Sequence, residues 1–216
     1  MHAGEHDSAH VGMSDETKPP RRRMSPAARR EQIVAAARAV IVRRGLGSSS
    51  LRDIAAEADV SMGTVTYHFD SVDDILGAVV IAESERFYEQ VVAAADAEPD
   101  ARRALDMLIE PLFAEGDEVE AHWRIWTDYW AAISQRPGMN DAYGARIRHW
   151  ERCVARVIAR GASDGTFREV DSDAAALKLA AYSDGLATQR AQGVTALTRT
   201  IARAWFLQFA DALLAP

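Results

Sequence analysis

The chain has 216 residues, of which 48% are hydrophobic, so it is long enough to bury a sizeable core in one domain or in a small module and a larger domain. It has no run of about 18 apolar residues that would span a membrane, and its N-terminus does not resemble a signal peptide. We therefore expect a cytoplasmic protein without a membrane partner. The single cysteine, Cys153, excludes an internal disulfide.

Charge is distributed unevenly along the chain. The formal net charge is −7, which is unfavourable for binding to nucleic acid. Residues 18–68, however, contain ten basic and four acidic residues and so carry a net charge of +6. A basic segment at one end of an acidic chain is typical of a module that contacts phosphates.

Residues 1–24 are predicted to form a disordered basic tail, because they are polar, lack hydrophobic periodicity and include Pro19 and Pro20. Three histidines in this tail recur at every fourth position: His2, His6 and His10. This spacing is compatible with a metal site on a helix, but the composition does not favour a helix, so we interpret the segment as solvated and expect no cofactor. Arg21 to Arg23 either contact DNA as a flexible arm or only keep the chain soluble.

Ordered structure is predicted to begin at Ser25-Pro26, since serine is a good N-cap and proline suits the first turn of a helix. Apolar residues at helical spacing then mark one face of a first helix. Gly45 and Gly47 end this helix, because glycine adopts the backbone conformations that follow a helix terminus.

Two short helices are predicted on either side of a tight turn. The serines at 48–50 cap the second helix, and Ser61 caps a third helix that runs to about His68. Asp59 lies in the turn and tolerates the left-handed backbone conformation better than most residues. Two short helices that cross closely need small side chains at their contact, and Ala55 provides one.

The third helix is predicted to read DNA in the major groove. Val65 is expected to face the core, which leaves the polar side chains of this helix exposed. The predicted DNA-binding residues are Arg52, Ser61, Met62, Gly63, Thr64, Thr66, Tyr67 and His68. The alternative interpretation is an ordinary helical hairpin with a polar surface, and the basic residues upstream argue against it.

The remainder of the chain is helical in its hydrophobic period. Ser71 caps a long fourth helix, and further helices are predicted at about 99–114, 119–135, 138–161, 172–192 and 194–214. Together these segments predict an all-α fold of about nine helices. Cys153 lies in one of them, where a packing residue is expected rather than a reactive thiol.

The segment around the turn resembles the DNA-binding domain of the TetR family of transcriptional regulators. The residues that match the family pattern are Ile54, Ala55, Ala58, Val60, Ser61, Gly63 and Phe69. The chain departs from this pattern where the family has a glycine, a tyrosine and a phosphate-contacting lysine: it has Asp59, Thr66 and Val72 there. The resemblance implies a three-helix, helix-turn-helix DNA-binding domain over residues 25–71.

Residues 72–216 resemble the C-terminal domain of BetI-type regulators in that family. The resemblance is carried by Trp123, Trp126, Trp130, Arg146, Trp150, Gly165, Phe167 and Asp184-Gly185-Leu186, together with residues 64–69. It implies a helical ligand-binding and dimerisation domain whose last two helices pair with those of a second copy. The interface residues that it implies are Ala181, Leu186, Trp205, Phe206, Phe209 and Leu213.

Three tryptophans at helical spacing are the main indication of a ligand. They either fill the core or line an aromatic pocket, and an aromatic face attracts a cation by about 0.5 to 2 kcal/mol. Glu120 and Asp128 add negative charge nearby. The predicted ligand-binding residues are Trp123, Trp126, Asp128, Tyr129, Trp130 and Trp150. An organic cation, such as a quaternary ammonium compound or a polyamine, is the favoured effector.

The sequence thus predicts a ligand-responsive transcriptional regulator. We expect a homodimeric repressor that binds a palindromic DNA operator and is released by a small molecule. An architectural DNA-binding protein without an effector is one alternative, and the long acidic C-terminal part, which repels DNA, argues against it. An enzyme is the other, but the sequence has no glycine-rich phosphate loop and no Gly-x-Ser-x-Gly, and neither His68 nor His149 has an obvious nucleophile partner.

Overall fold

The computed structural model describes residues 24–135 and 148–216. In these residues the chain forms nine α-helices and no strand, which confirms the predicted all-α fold. The helices are α1 (Pro26–Arg44), α2 (Leu51–Glu57), α3 (Met62–His68), α4 (Val72–Ala97), α5 (Ala101–Ile109), α6 (Asp117–Gln135), α7 (His149–Asp164), α8 (Ser172–Ala191) and α9 (Arg199–Leu214). None of them is long and apolar enough to cross a bilayer. Residues 1–23 of the predicted tail with its three histidines, residues 138–147 of the helix predicted at 138–161, and Arg146 lie outside the described residues.

Serine side chains begin the N-terminal helices as predicted. The Oγ atoms of Ser25, Ser61 and Ser71 each accept a hydrogen bond from a backbone N–H in the first turn of α1, α3 and α4. Ser50 and Asp53 form a reciprocal capping box at the start of α2. Each such cap contributes about 1 kcal/mol, so polar residues at four positions determine where these helices begin.

The turn between α2 and α3 has the predicted left-handed residue. Asp59 has a φ of 51°, and the chain can therefore reverse within the few residues that separate the two helices. Ala55 and Val65 are both buried in the core that α1, α2 and α3 share, and Val65 has no exposed surface. The outer face of α3 is left to solvent.

The long helix α4 joins this three-helix unit to the rest of the molecule. It packs against α1, α5, α6 and α7, and α7 in turn packs against α8. Its buried residues extend from Ile75 to Ala95, which is nearly its whole length. Any displacement of α4 therefore moves both the three-helix unit and the C-terminal helices.

Two predicted helix boundaries differ from the structure. The helix predicted at 99–114 is α5 followed by a 3₁₀ turn at Glu110–Phe113, because Pro111 has no N–H to donate to an α-helical hydrogen bond. The helix predicted to begin at Val194 begins at Arg199, where Thr198 Oγ1 accepts a hydrogen bond from the N–H of Ile201. A cap residue, rather than the first apolar residue, sets this boundary.

The outer face of α8 and α9 carries exposed apolar side chains, with Trp205 49% and Ile201 36% exposed. Leu186 is largely buried beside Trp205 in a groove of this face. Phe206, which was also implied to lie in a dimer interface, is buried within the protomer, and its ring packs against those of Phe113 and Tyr182. That part of the expectation was wrong, because this side chain points into the core of its own chain.

Replacing Gly161 by alanine is expected to destabilise the protein. A Cβ atom at this position would lie 2.2 Å from Cδ2 of Phe167 and 2.9 Å from Cβ of Ala101. Overpacking of this kind lowers the free energy of unfolding by about 1 to 3 kcal/mol. We expect a lower urea midpoint for the variant than for the parent protein at the same protein concentration. Gly47→Ala is the control, since a Cβ there meets no atom within 4 Å in the described chain. Equal stability of the two variants would contradict the packing argument.

Candidate nucleic-acid interface and aromatic pocket

The third helix presents a polar and partly aromatic surface to solvent. Tyr67 is 79% exposed and Met62 is 38% exposed, whereas Val65 on the opposite face is buried. Ser61 Oγ and Thr64 Oγ1 lie 2.9 Å apart at the helix N-terminus, where either hydroxyl can turn outward to donate. The arrangement allows α3 to enter the major groove with its first turn and its tyrosine foremost.

The predicted DNA-binding residues fall into two groups by exposure. Arg52, Ser61, Met62, Gly63, Thr66 and Tyr67 are exposed, and Thr64 and His68 are half-buried. Thr66 Oγ1 lies 3.2 Å from the carbonyl oxygen of Met62 and donates to it, so its methyl group is the part left for an apolar contact. That these residues contact DNA remains a prediction.

Several basic residues of the N-terminal segment are already paired within the protein. Arg43 bonds to Glu57 at 2.6 Å, and Arg44 bonds to Asp53, so each braces α1 against α2. Arg52 is exposed and has no ion-pair partner among the described residues. Part of the net charge of +6 counted from the sequence is therefore already neutralised within the protein. Arg52 is a better candidate for a phosphate contact than Arg43 or Arg44.

An aromatic pocket of about 160 Å³ lies between α4, α6, α7 and α8. Its walls include Tyr88, Trp123, Trp126, Trp130, Trp150 and Asp184. Trp123 Nε1 donates to the carbonyl oxygen of Leu112 at 3.1 Å, and Trp150 Nε1 donates to that of Leu108 at 3.0 Å. These bonds fix two of the rings before any ligand arrives. Trp123, Trp126 and Trp150 thus belong to the core and line a pocket at the same time, whereas Trp130 is exposed at the pocket.

A carboxylate that the sequence analysis did not select lies in this pocket. Asp184 on α8 is half-buried and has no hydrogen-bond or ion-pair partner among the described residues. Burial, with a smaller effect from Glu151, raises the pKa of Asp184 to about 6. Glu151 and Arg148 also line the pocket and bond to each other at 3.3 Å. Asp184 is therefore the group whose charge is left without a partner.

Two predicted ligand-binding residues do not line the aromatic pocket. Asp128 lies on a separate cleft of about 490 Å³, and its Oδ2 accepts a hydrogen bond of 2.8 Å from the backbone N–H of Leu46. Tyr129 is fully buried, and its hydroxyl has no hydrogen-bond partner in the described chain. Glu120, named for its charge, bonds to Arg199 at 2.6 Å instead. Neither acid therefore lies in the aromatic pocket. Both lie on the separate cleft, which Trp123 also lines, and both already have partners there.

Tyr88 and Asp184 are two of the pocket residues that the sequence analysis did not name as ligand-binding. Asp184 interrupts the largely apolar helix α8 next to buried Ser183, and this irregularity is a usable signal. Tyr88 lies on α4, for which the sequence analysis predicted only a long helix. No local sequence pattern distinguishes Tyr88 from a tyrosine that only fills the core.

Two family models match the chain. The model described as bacterial regulatory proteins of the tetR family matches residues 33–79, and the model described as the C-terminal part of a BetI-type transcriptional repressor matches residues 101–215. The second match covers more than half of the chain.

Individual relatives agree with these models. The transcriptional regulator PksA of Bacillus subtilis is 29% identical over 150 residues, which is 68% of this chain and 71% of the relative. A helix-turn-helix-type regulator of the dhlA 5′ region in Xanthobacter autotrophicus is 26% identical over 116 residues, which is 51% of this chain but only 54% of that relative. A transcriptional regulator from Saccharomonospora viridis, solved in complex with choline, is 30% identical with a TM-score of 0.75, and the match covers 86% of this chain and 96% of that one.

Replacing Thr64 and Tyr67 together by alanine is expected to weaken binding to a selected DNA site about tenfold. The melting temperature should change little, because Tyr67 is mostly exposed and Thr64 only half-buried. The site would be selected from a random duplex library with the parent protein, and affinities compared by fluorescence anisotropy.

The matched control for this pair is Val65→Asp on the opposite face of α3. It buries an unpaired carboxylate and should unfold the three-helix unit. If the alanine pair binds the selected DNA as tightly as the parent protein, the outer face of α3 is not the reading surface.

Proposed function

Since the chain belongs to the TetR family of transcriptional regulators and carries a BetI-type C-terminal domain, we propose that it is a repressor released from DNA by an organic cation bound in the aromatic pocket. One observation carries the choice of ligand. The unpaired carboxylate of Asp184 lies in a pocket whose other walls are largely aromatic.

The chemistry of the pocket favours a cation over a neutral or anionic ligand. Aromatic faces attract a cation by about 0.5 to 2 kcal/mol each, and more when water is excluded. A buried carboxylate without a partner is costly, and a bound cation offsets that cost. Arg148 also lines the pocket, but Glu151 already neutralises it. The similar regulator from Saccharomonospora viridis was solved with choline, a quaternary ammonium ion.

The position of the pocket accounts for release. It lies against α4, which also packs against α1 of the DNA-binding unit. A ligand that shifts α4 changes the separation of the two α3 helices in a dimer, while the spacing of the two DNA half-sites stays constant. The free energy of DNA binding that is lost cannot exceed the difference in the ligand's binding free energy between the two states of the protein.

The proposed dimer is formed through the outer face of α8 and α9. Ile201 and Trp205 are exposed there, and Tyr182 and Phe209 are half-buried. A single short reading helix offers few base contacts, and a two-fold dimer doubles them on a palindromic operator.

Choline is expected to bind the parent protein and to release it from a selected operator, with a change in tryptophan fluorescence. Asp184→Asn should weaken choline binding about tenfold, because the amide has the same shape but no charge. In the parent protein, affinity should rise from pH 5 to pH 7.5, since the pKa of Asp184 is raised to about 6 and only the ionised carboxylate attracts the cation. Choline keeps its positive charge throughout this pH range, so the pH dependence of its binding comes from the protein.

The control ligand is 3,3-dimethyl-1-butanol, which has the shape of choline with a carbon in place of the nitrogen. It should bind weakly and with little pH dependence, and choline binding to Asp184→Asn should also lose most of its pH dependence. Release of the operator by the neutral analogue as readily as by choline would eliminate the cation hypothesis and leave the regulator itself standing.

Trp205→Glu is expected to separate the dimer and to weaken operator binding strongly, because it places a charge in an apolar interface. Sedimentation analysis and operator anisotropy give the two readouts. Ala93→Glu, which adds the same charge on an exposed position of α4, should change neither. A parent protein that sediments as a monomer and protects a single half-site would refute the dimer.

A further inference from the structure

A continuous series of buried polar side chains extends from the wall of the aromatic pocket to α1. Tyr88, which lines the pocket, has its hydroxyl oxygen 2.9 Å from Nε2 of His122. Nδ1 of His122 lies 3.2 Å from Oε1 of Glu83, and the other carboxylate oxygen of Glu83 lies 2.6 Å from Nε of Arg38. Tyr88, His122 and Glu83 are all buried. The series therefore joins α4, α6 and the first helix of the DNA-binding unit.

The direction of each hydrogen bond follows from the charge states. Burial alone raises the pKa of Glu83, but the hydrogen bonds from His122, Arg38 and Arg86 outweigh it and hold the pKa at about 2. Burial also lowers the pKa of His122, so its ring is neutral at pH 7. A carboxylate only accepts, so Nδ1–H of His122 donates to Glu83, and Nε2 is left to accept from the hydroxyl of Tyr88.

We propose that the hydrogen-bonded series Tyr88–His122–Glu83–Arg38 transmits occupation of the aromatic pocket to the DNA-binding helices. The proposal rests on the function proposed above for the pocket. Tyr88 is the one member that lines the pocket, and Arg38 is the one member on α1. The two residues between them are positioning residues that contact neither the ligand nor DNA.

The series transmits movement because Glu83 cannot exchange its donors for water. Its side chain has no exposed surface, and a buried charge that loses a donor is strongly destabilised. The His122 ring is also held in place by stacking on Phe87, with centroids 3.8 Å apart. A ligand that displaces the Tyr88 hydroxyl therefore shifts His122 and Glu83 together, and Arg38 must follow.

Direct polar contacts also join α6 to the DNA-binding unit, and one of them is at the Arg38 end of the series, where Nη2 of Arg38 lies 2.8 Å from Oε2 of Glu118. Asp128 accepts from the N–H of Leu46, and Arg124 donates to the carbonyl oxygen of Val42. Neither Asp128 nor Arg124 lines the aromatic pocket. These bonds hold the unit in place, and the buried series is the polar connection that begins at the pocket wall.

Tyr88→Phe tests the proposal, since it removes only the hydroxyl and keeps the ring. We expect choline to weaken operator binding of the parent protein at least tenfold and that of Tyr88→Phe threefold or less. Choline affinity is measured for each protein by tryptophan fluorescence, and operator binding is compared without choline and at saturating choline, so that a change in choline binding does not count as a loss of transmission. Full release of Tyr88→Phe by choline would overturn the proposal.

Tyr129→Phe is the matched control. It removes another buried tyrosine hydroxyl, one that has no hydrogen-bond partner in the described chain and does not line the pocket. Choline should release this variant as it releases the parent. If both variants lose release equally, loosening of the core rather than the hydrogen-bonded series is responsible, and the proposal fails.

A second measurement needs no ligand. Tyr88 and Arg38 do not share a hydrogen bond. If the residues between them did not couple them, the factors by which Tyr88→Phe and Arg38→Gln each change the unfolding equilibrium constant would multiply in the double variant. We expect the double variant to depart from that product by threefold or more in urea unfolding at one protein concentration. Tyr129→Phe combined with Arg38→Gln should obey it.

The two measurements separate the two ideas. If choline does not release the parent protein, the proposed function of the pocket fails, and the unfolding cycle still decides whether Tyr88 and Arg38 are coupled. If choline releases the parent and Tyr88→Phe alike, the pocket function stands and the hydrogen-bonded series is refuted. If the effects of Tyr88→Phe and Arg38→Gln on unfolding simply multiply, the hydrogen-bonded series is refuted whether or not choline releases the parent protein.

Discussion

An ionised carboxylate buried between α1, α4 and α6 constrains how the two parts of this protein fit together. Glu83 has no exposed side-chain surface and is held by Arg38, Arg86 and His122. A buried charge that loses one donor costs several kcal/mol. The docking of the DNA-binding unit is therefore tied to the geometry of these three donors, from three different helices.

In the aromatic pocket, hydrogen bonds within the protein also satisfy most of the buried polar groups. Trp123 and Trp150 donate their indole N–H groups to backbone carbonyls, which satisfies their polar atoms and orients their rings. Asp184 is the exception, because its carboxylate is left unpaired among apolar and aromatic neighbours and its pKa is raised to about 6. The pocket thus carries an unpaired carboxylate, and this is the reason that we propose a cation as its ligand.

Charge in the N-terminal unit serves two purposes. Arg43 and Arg44 pair with acids of α2 and hold the short helix in place, so they stabilise the fold more than they attract DNA. Exposed Arg52 and the outer face of α3 remain for the nucleic acid. A basic residue near a reading helix is consequently not by itself a phosphate contact, and the neighbouring acids decide between the two roles.

The sequence by itself determined the order and nature of the helices, the serine caps, the left-handed Asp59 and the buried Val65. These features depend on residues within one or two turns of each other, where spacing dictates contact. The tertiary structure alone decided which carboxylate joins the tryptophans. Glu120 and Asp128 lie with Trp123 on a second cleft, where each already has a partner, whereas Asp184 on α8 lies unpaired in the pocket that holds all four predicted ligand-binding tryptophans. The angle at which two helices pack is set by all their side chains together, and no local pattern contains it.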